Sequence, residues 1–256
     1  MVSRLINLWL LLVSIFVMTN GFSENSDGRH KEVSGSNEFD LLIFTQHWPQ
    51  TVCYQWKEDT ESHDCSLPRD EEWTIHGIWP TQYHKLAPQF CNHSLHFNAS
   101  ALAPLEDQLN VKWLDVEKGT ARYSFWKHEW QKHGTCAVVL DSINTEVKYF
   151  QKGLDLLDKY DMKHVLGKKN IVPGDNHSVQ DILNAIETIL GKRCQVECIT
   201  NSKTKQSYLF EIRICFSKTF ELIHCDGIHG FPTNCDLKKN VIYPSNVPVD
   251  YRVIQI

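Results

Sequence analysis

The sequence predicts a single α+β domain. Strand-like and helix-like segments follow one another without the regular βαβ rhythm of a parallel sheet. No linker-like stretch divides the chain after residue 39. Nine cysteines follow an apolar N-terminal segment, which points to one disulfide-stapled body. The 256 residues can bury a sizeable core. With 42% hydrophobic and 22% charged residues the composition is ordinary for a globular protein. There is no low-complexity tract and no solenoid-length repeat.

The elements read in order as follows. Arg4 gives a short basic start, and residues 5–18 form an apolar run. That run is shorter than the roughly 20 residues of a membrane span, and small residues follow it. Residues 1–23 are therefore expected to be a secretory signal, cut after Gly21 or Ser23. No second run of spanning length follows, so no membrane span is expected. Residues 24–38 are polar and rich in Ser, Asn and Gly, the composition of a flexible leader, and the domain is expected to occupy 39–256. Residues 39–46 are apolar and short, a buried strand closed by Trp48-Pro49. Residues 72–80 read as a second strand stopped by Pro80. Residues 88–98 read as loop, and 102–111 have helical apolar spacing. Ser124 is a plausible cap for a helix running through Thr135. Residues 145–160 and 178–190 are two further amphipathic helices. Residues 207–216 alternate like a strand, with 220–225 a candidate to pair with it.

Secretion makes the cysteines a disulfide framework before they are metal ligands. The count is odd, so one is free or pairs between chains. Eight cysteines allow roughly a hundred pairings, and spacing does not choose among them. Three glycosylation sequons begin at Asn92, Asn98 and Asn176. The net charge of −5 argues against a nucleic-acid binder at neutral pH. The 13 histidines change that: without Arg4 the charge is −6, and −6 + 13 gives +7 when all are protonated. Most of that swing falls between about pH 7 and pH 5. It suits an acidic compartment and an anionic substrate, although scattered surface histidines can also be incidental.

Two blocks carry chemistry: Thr74-Ile75-His76-Gly77-Ile78-Trp79-Pro80, and Phe125-Trp126-Lys127-His128-Glu129-Trp130-Gln131-Lys132-His133-Gly134-Thr135-Cys136. Histidine titrates near neutrality and can act as base in one step and acid in another. Lysine and protonated histidine can hold negative charge as it develops. On a regular helix with His128 at zero, Lys132 falls at about 40°, Glu129 at about 100° and His133 at about 140°. Trp126 and Trp130 then lie behind as packing. A zinc pair needs histidines at i and i+4; here they are five apart and diverge, so no metal and no other cofactor is expected. A buried, hydrogen-bonded histidine cluster is the structural alternative for either block alone.

These two blocks resemble the paired active-site signatures of the ribonuclease T2 family, the secreted and lysosomal acid ribonucleases. Gln46-His47-Trp48-Pro49 and the following Cys53 resemble its animal members. The resemblance covers roughly residues 39–245. It implies a central antiparallel sheet flanked by helices, and cleavage of single-stranded RNA without a metal. It implies that His133 takes the proton of the ribose 2′-hydroxyl and that His76 protonates the departing 5′-oxygen. Lys132, Glu129 and His128 would support the crowded phosphate. A 2′,3′-cyclic phosphate would form and then open to a 3′-phosphate. DNA lacks the internal nucleophile and would not be cut. Trp79 resembles the residue that stacks the 5′-side base, and Gln46 and Phe125 those lining the second base site. Thr81 stands where many relatives carry an aspartate that reads adenine, so low base specificity is expected. The resemblance implies disulfides Cys53–Cys65, Cys91–Cys136, Cys198–Cys235 and Cys215–Cys225, leaving Cys194 over. It also implies an acidic pH optimum, a monomer, and a place outside the cell or in the lysosomal lumen.

Overall fold

A computed structural model describes residues 37–249, apart from residue 61. The expected signal and nearly all of the leader lie outside the described residues. Strand β1 (Leu41–His47) runs through the middle of the domain and is buried along its whole length. It is covered on both faces, which is why it reads as a continuous apolar run rather than an alternating one. Leu42 and Phe44 enter the large core on one face, and Leu41 and Ile43 enter a smaller cluster on the other.

Trp48 then turns the chain into helix α1 (Pro49–Asp59), with proline at its first turn. The missing N–H of proline costs nothing there, so Pro49 ends the strand and starts a helix. That helix escaped the sequence reading because its apolar periodicity is weak. The indole N–H of Trp48 donates to the Pro244 carbonyl at 2.7 Å, tying this corner to the far end of the chain. Strand β2 (Thr74–Thr81) pairs antiparallel with β1.

The single helix expected over 102–111 is two pieces. A 3₁₀ segment (Ala99–Leu105) contains Pro104, and helix α2 (Glu106–Lys112) follows. Proline removes the donor that one continuous α-helix would need. Helix α3 (Ser124–Glu129), a π-helical turn (Trp130–Gly134) and the short α4 (Thr135–Ala137) make the second signature. Tyr123, in the left-handed conformation, takes the cap position expected of Ser124. Helix α5 (Glu146–Tyr160) is capped by Thr145, whose hydroxyl accepts from the Lys148 N–H at 3.3 Å. Helix α6 (Met162–Gly167) and the short strand β3 (Asn176–Ser178) follow. Ser178 caps helix α7 (Val179–Leu190), and Gly191 closes it in the left-handed conformation that glycine adopts without strain.

Strands β4 (Gln195–Thr200), β5 (Ser207–Phe216), β6 (Leu222–Ile223) and β7 (Asn240–Ile242) complete the sheet. The strand order is β2-β1-β5-β7-β3, with β4 and β6 also paired to β5. All pairings are antiparallel except β5 with β7. Side chains from α2, α3, α5, α6 and α7 cover one face of this sheet in one continuous core. The expected α+β fold is therefore the observed one, with one parallel pair added to an otherwise antiparallel sheet. All four expected disulfides are present, and Cys194 is a free, buried thiol. Among the described residues no helix is long and apolar enough to cross a membrane.

Candidate active site

Strand parity decides which side chains reach the site. On β1, Ile43 and His47 share one face, while Gln46 shares the opposite face with Leu42 and Phe44. Gln46 is therefore no wall of a base site. It is fully buried, its amide nitrogen donates to the Tyr160 carbonyl at 2.8 Å, and its amide oxygen accepts from the Met162 N–H at 3.1 Å. It anchors the junction between α5 and α6. Its neighbour His47, one residue past the strand expected from the sequence, occupies the site face instead.

On β2 the same rule is broken to useful effect. Thr45 pairs with Gly77 and Gln46 with Ile75, so His76 is an extra residue with no partner on β1. Such a bulge re-aims a side chain. In a regular strand His76 and Trp79, three apart, would face opposite sides. Here their rings meet edge to face at 4.9 Å. The Trp113 indole donates to the His76 carbonyl at 2.9 Å and holds the bulge. Strand β5 adds Glu211 beside His47, and Arg213 beside Thr45.

The helical signature closes the site from the other side. Glu129 is 1% exposed and accepts the Trp79 indole N–H at 2.9 Å; its other oxygen lies 3.8 Å from His76 Nε2. Gly77 leaves room for this contact, since a Cβ there would collide with both the Glu129 carboxylate and the Trp79 nitrogen. The helix expected to be regular from 124 to 135 contains a π-turn, in which the Thr135 N–H reaches back to the Trp130 carbonyl. The extra residue per turn displaces the angles of a uniform wheel. His133 thereby packs on Trp79, ring centroids 5.2 Å apart, while His128 lies out at the rim against Phe90 at 6.4 Å. Trp126 and Trp130 are buried behind, as packing.

Two cavities meet at His76 and His128. The larger, about 670 Å³, is lined by His47, Gln55, Glu117, Phe125 and Phe210 among others. The smaller, about 300 Å³, is lined by Trp79, Thr81, Lys132, His133, Arg213 and His229 among others. Thr81 is 5% exposed and spends its hydroxyl on the Trp79 carbonyl at 3.1 Å. Trp79 is already engaged by the Arg213 guanidinium, 5.2 Å from its ring centroid. Phe125 lies 5.8 Å from the His76 ring and stacks at 6.1 Å on His47. Among the described residues no group of three or more His, Cys, Asp or Glu side chains is placed to hold a metal ion.

Burial and charge push these groups apart. Burial depresses His133 well below the usual histidine value, with Lys132, His76 and His128 adding to the effect. Burial alone would lower His76 too, but the charge and hydrogen bond of Glu211, with Glu129, raise it above the usual value. Burial raises Glu129 to about 7 against the pull of His76. Burial, with His76 adding, takes His47 down to about 3.

The signature of the Ribonuclease T2 family matches residues 39–225. The chain belongs to the ribonuclease T2 family. It is an endoribonuclease. It is 35% identical to ribonuclease Oy of Magallana gigas over 81% of this chain and 97% of that protein. It is 35% identical to human ribonuclease T2 over 75% of this chain and 72% of that protein. The crystal structure of human RNase T2 superposes with a TM-score of 0.67 at 33% identity, covering 80% of this chain and 98% of that one. The sequence of this ribonuclease supplied His76, Trp79, His128, Glu129, Lys132 and His133, and the fold gathers all six around the smaller cavity. Sequence reading missed His47, Glu211 and Arg213. A charged pair two residues apart on an otherwise apolar strand was the available signal for the last two.

Proposed function

We propose that this ribonuclease cleaves single-stranded RNA by transphosphorylation, with His133 as general base and His76 as general acid. One observation carries the reading: His76 and His133 line one cavity and both pack on Trp79, with ring centroids 4.9 and 5.2 Å from it, and their surroundings favour opposite protonation states, His133 neutral and His76 charged. A base must be neutral and an acid charged at the same pH, and this pair meets that need in acid solution. His133 takes the proton of the 2′-hydroxyl, the oxygen attacks the adjacent phosphorus, and the P–O5′ bond breaks as His76 Nε2 delivers its proton. The nucleophile is already beside the phosphate, so proximity replaces an activated water in the first step. Lys132 supplies positive charge for the phosphoryl oxygens, and the rim residue His128 donates a hydrogen bond to them. A 2′,3′-cyclic phosphate results, which water then opens to a 3′-phosphate.

The smaller cavity takes the base on the 5′ side, against Trp79 and beside Thr81. The larger takes the 3′-side base, with Phe125 and His47 as its walls. With the Thr81 hydroxyl spent on its own backbone, discrimination on the 5′ side is weak. We place the working enzyme in an acidic lumen or outside the cell, acting as a monomer, with Asn92, Asn98 and Asn176 as glycan acceptors. Asn98 and Asn176 are exposed.

The test is incubation with single-stranded RNA and DNA at about pH 5 with a chelator, followed by analysis of the ends. Cyclic phosphate ends on RNA and intact DNA are expected. Activity lost to the chelator and restored by zinc contradicts the mechanism.

A further inference from the structure

We infer that Glu211 is the positioning carboxylate of His76, holding its Nδ1–H so that Nε2 alone faces the leaving oxygen. This rests on His76 being the acid. Glu211 is 1% exposed and sits on β5, flanked by the core residues Leu209 and Ile212. Its Oε1 lies 2.5 Å from His76 Nδ1. Its Oε2 accepts from Arg213 Nε at 3.0 Å and Nη2 at 2.6 Å. A carboxylate buried in this way is costly unless paired, and the hydrogen bonds of its side chain go to His76 and to the arginine that braces it.

His76 needs such an anchor. As the extra residue of a bulge it has no partner on β1 to set its ring. Trp113 holds only its backbone. Glu211 fixes the ring from the sheet side and leaves Nε2 facing Glu129 and the two cavities. The charged and titratable groups around this imidazole are His47 from β1, Glu211 and Arg213 from β5, Glu129 from α3, Lys132 and His133 from the π-turn, and Glu117 and His128 at the cavity walls. Glu197 on β4 lies 3.5 Å from Arg213 and braces the guanidinium from behind.

The two carboxylates that flank His76 differ in kind. Burial works to neutralise both. His76 and Arg213 nevertheless hold Glu211 down to about 2, whereas Glu129 stays near 7. In acid solution Glu211 is thus the lasting anion and Glu129 the neutral neighbour. During the step the proton leaves His76 Nε2 for the 5′-oxygen as the P–O5′ bond breaks. Nδ1 keeps its proton, and Glu211 takes none.

The test uses the full chain with Glu211→Gln, set beside His76→Ala and His133→Ala. Two substrates separate acid catalysis from the rest. A uridine 3′-(4-nitrophenyl phosphate) expels a stable phenolate without a proton, whereas a dinucleoside monophosphate expels an alkoxide that needs one. Glu211→Gln should lower kcat on the dinucleotide by about 10²-fold while the nitrophenyl ester stays within about threefold. The alkaline limb of its kcat/KM profile should move to lower pH. Side-chain proton–nitrogen NMR of the wild type should find neutral His76 protonated at Nδ1, and Glu211→Gln should lower its pKa. Equal losses on both substrates with an unmoved limb overturn the inference, and so does an Nε2–H tautomer in the wild type, a result that needs no variant to fold. If His76→Ala slows both substrates equally, the acid assignment fails, and the NMR tautomer still decides whether Glu211 positions the ring.

Discussion

Trp79 carries two duties on one side chain: its face borders the smaller cavity and its N–H holds Glu129. Trp79→Phe keeps the ring and removes the donor. With Glu129 neutral in acid solution this hydrogen bond is worth roughly 0.5–1.5 kcal/mol, so kcat should fall about two- to tenfold. The lost bond is one of the forces that lower Glu129, so its pKa should rise further, which a carboxyl NMR titration reads. Gln46 and His47 make a complementary pair of tests. Gln46→Ala leaves the Met162 N–H without its partner and should cost about 1–3 kcal/mol in urea unfolding, with base preference unchanged. His47→Ala should leave stability closer to the wild type and alter kcat/KM among dinucleotides that differ only in the 3′ base. The reverse result would return Gln46 to the base site. Among the described residues His47 Nε2 is buried without a hydrogen-bond partner, and His47 lines the larger cavity, which motivates the test.

At the level of elements, the site depends on two departures from regular geometry that face one another. The bulge at His76 turns a strand residue inward, and the π-turn from Trp130 to Gly134 carries His133 onto Trp79. Gly134 makes the second possible, because a Cβ there would strike the Trp130 ring. Trp130 is 3% exposed and cannot swing away. Gly134→Ala should therefore cost about 1–3 kcal/mol, the usual range for overpacking a core. It should also reduce kcat by moving His133, with CD and dinucleotide kinetics as the readouts. The Cys91–Cys136 disulfide clamps the end of this helix. If Gly134→Ala left both stability and rate unchanged, the close packing of the turn would not be what sets His133.

For the whole molecule, acidity is written into both charge and stability. The histidines make the protein more cationic as pH falls, so RNA affinity should weaken as pH rises and grow more salt-sensitive in acid. Glu129 gives the stability counterpart. Its folded pKa of about 7 stands above the ordinary 4.5, so it binds its proton more tightly when folded. Its contribution is fully present below about 4.5 and is lost as pH rises through about 7. His47 and His133 are shifted down and act in the opposite sense, losing stability as pH falls below the ordinary histidine value. Tm at about pH 8 minus Tm at about pH 5 should thus be more positive in Glu129→Gln than in the wild type, a comparison that cancels effects common to both proteins. An equal difference in both would show that Glu129 is not the titrating group.

The candidate site of this chain is legible in the sequence, because it resides in local blocks of rare residues. His76 with Trp79, and His128, Glu129, Lys132 and His133, stand out by residue type and spacing alone. So do the helices starting at Thr145 and Ser178, where a capping hydroxyl precedes an apolar period. The α+β class followed from the order of such segments. Tertiary structure decided what depends on partners distant in sequence. Whether Gln46 or His47 faces the site is a matter of strand parity, and a slip of one residue reverses it. The bulge that aims His76 exists only in the pairing of β2 with β1. Glu211 lies 135 residues from His76 and meets it only because β5 pairs on the other side of β1. The opposite shifts of the two imidazoles are likewise properties of burial and neighbouring charge, which no local pattern of residues contains.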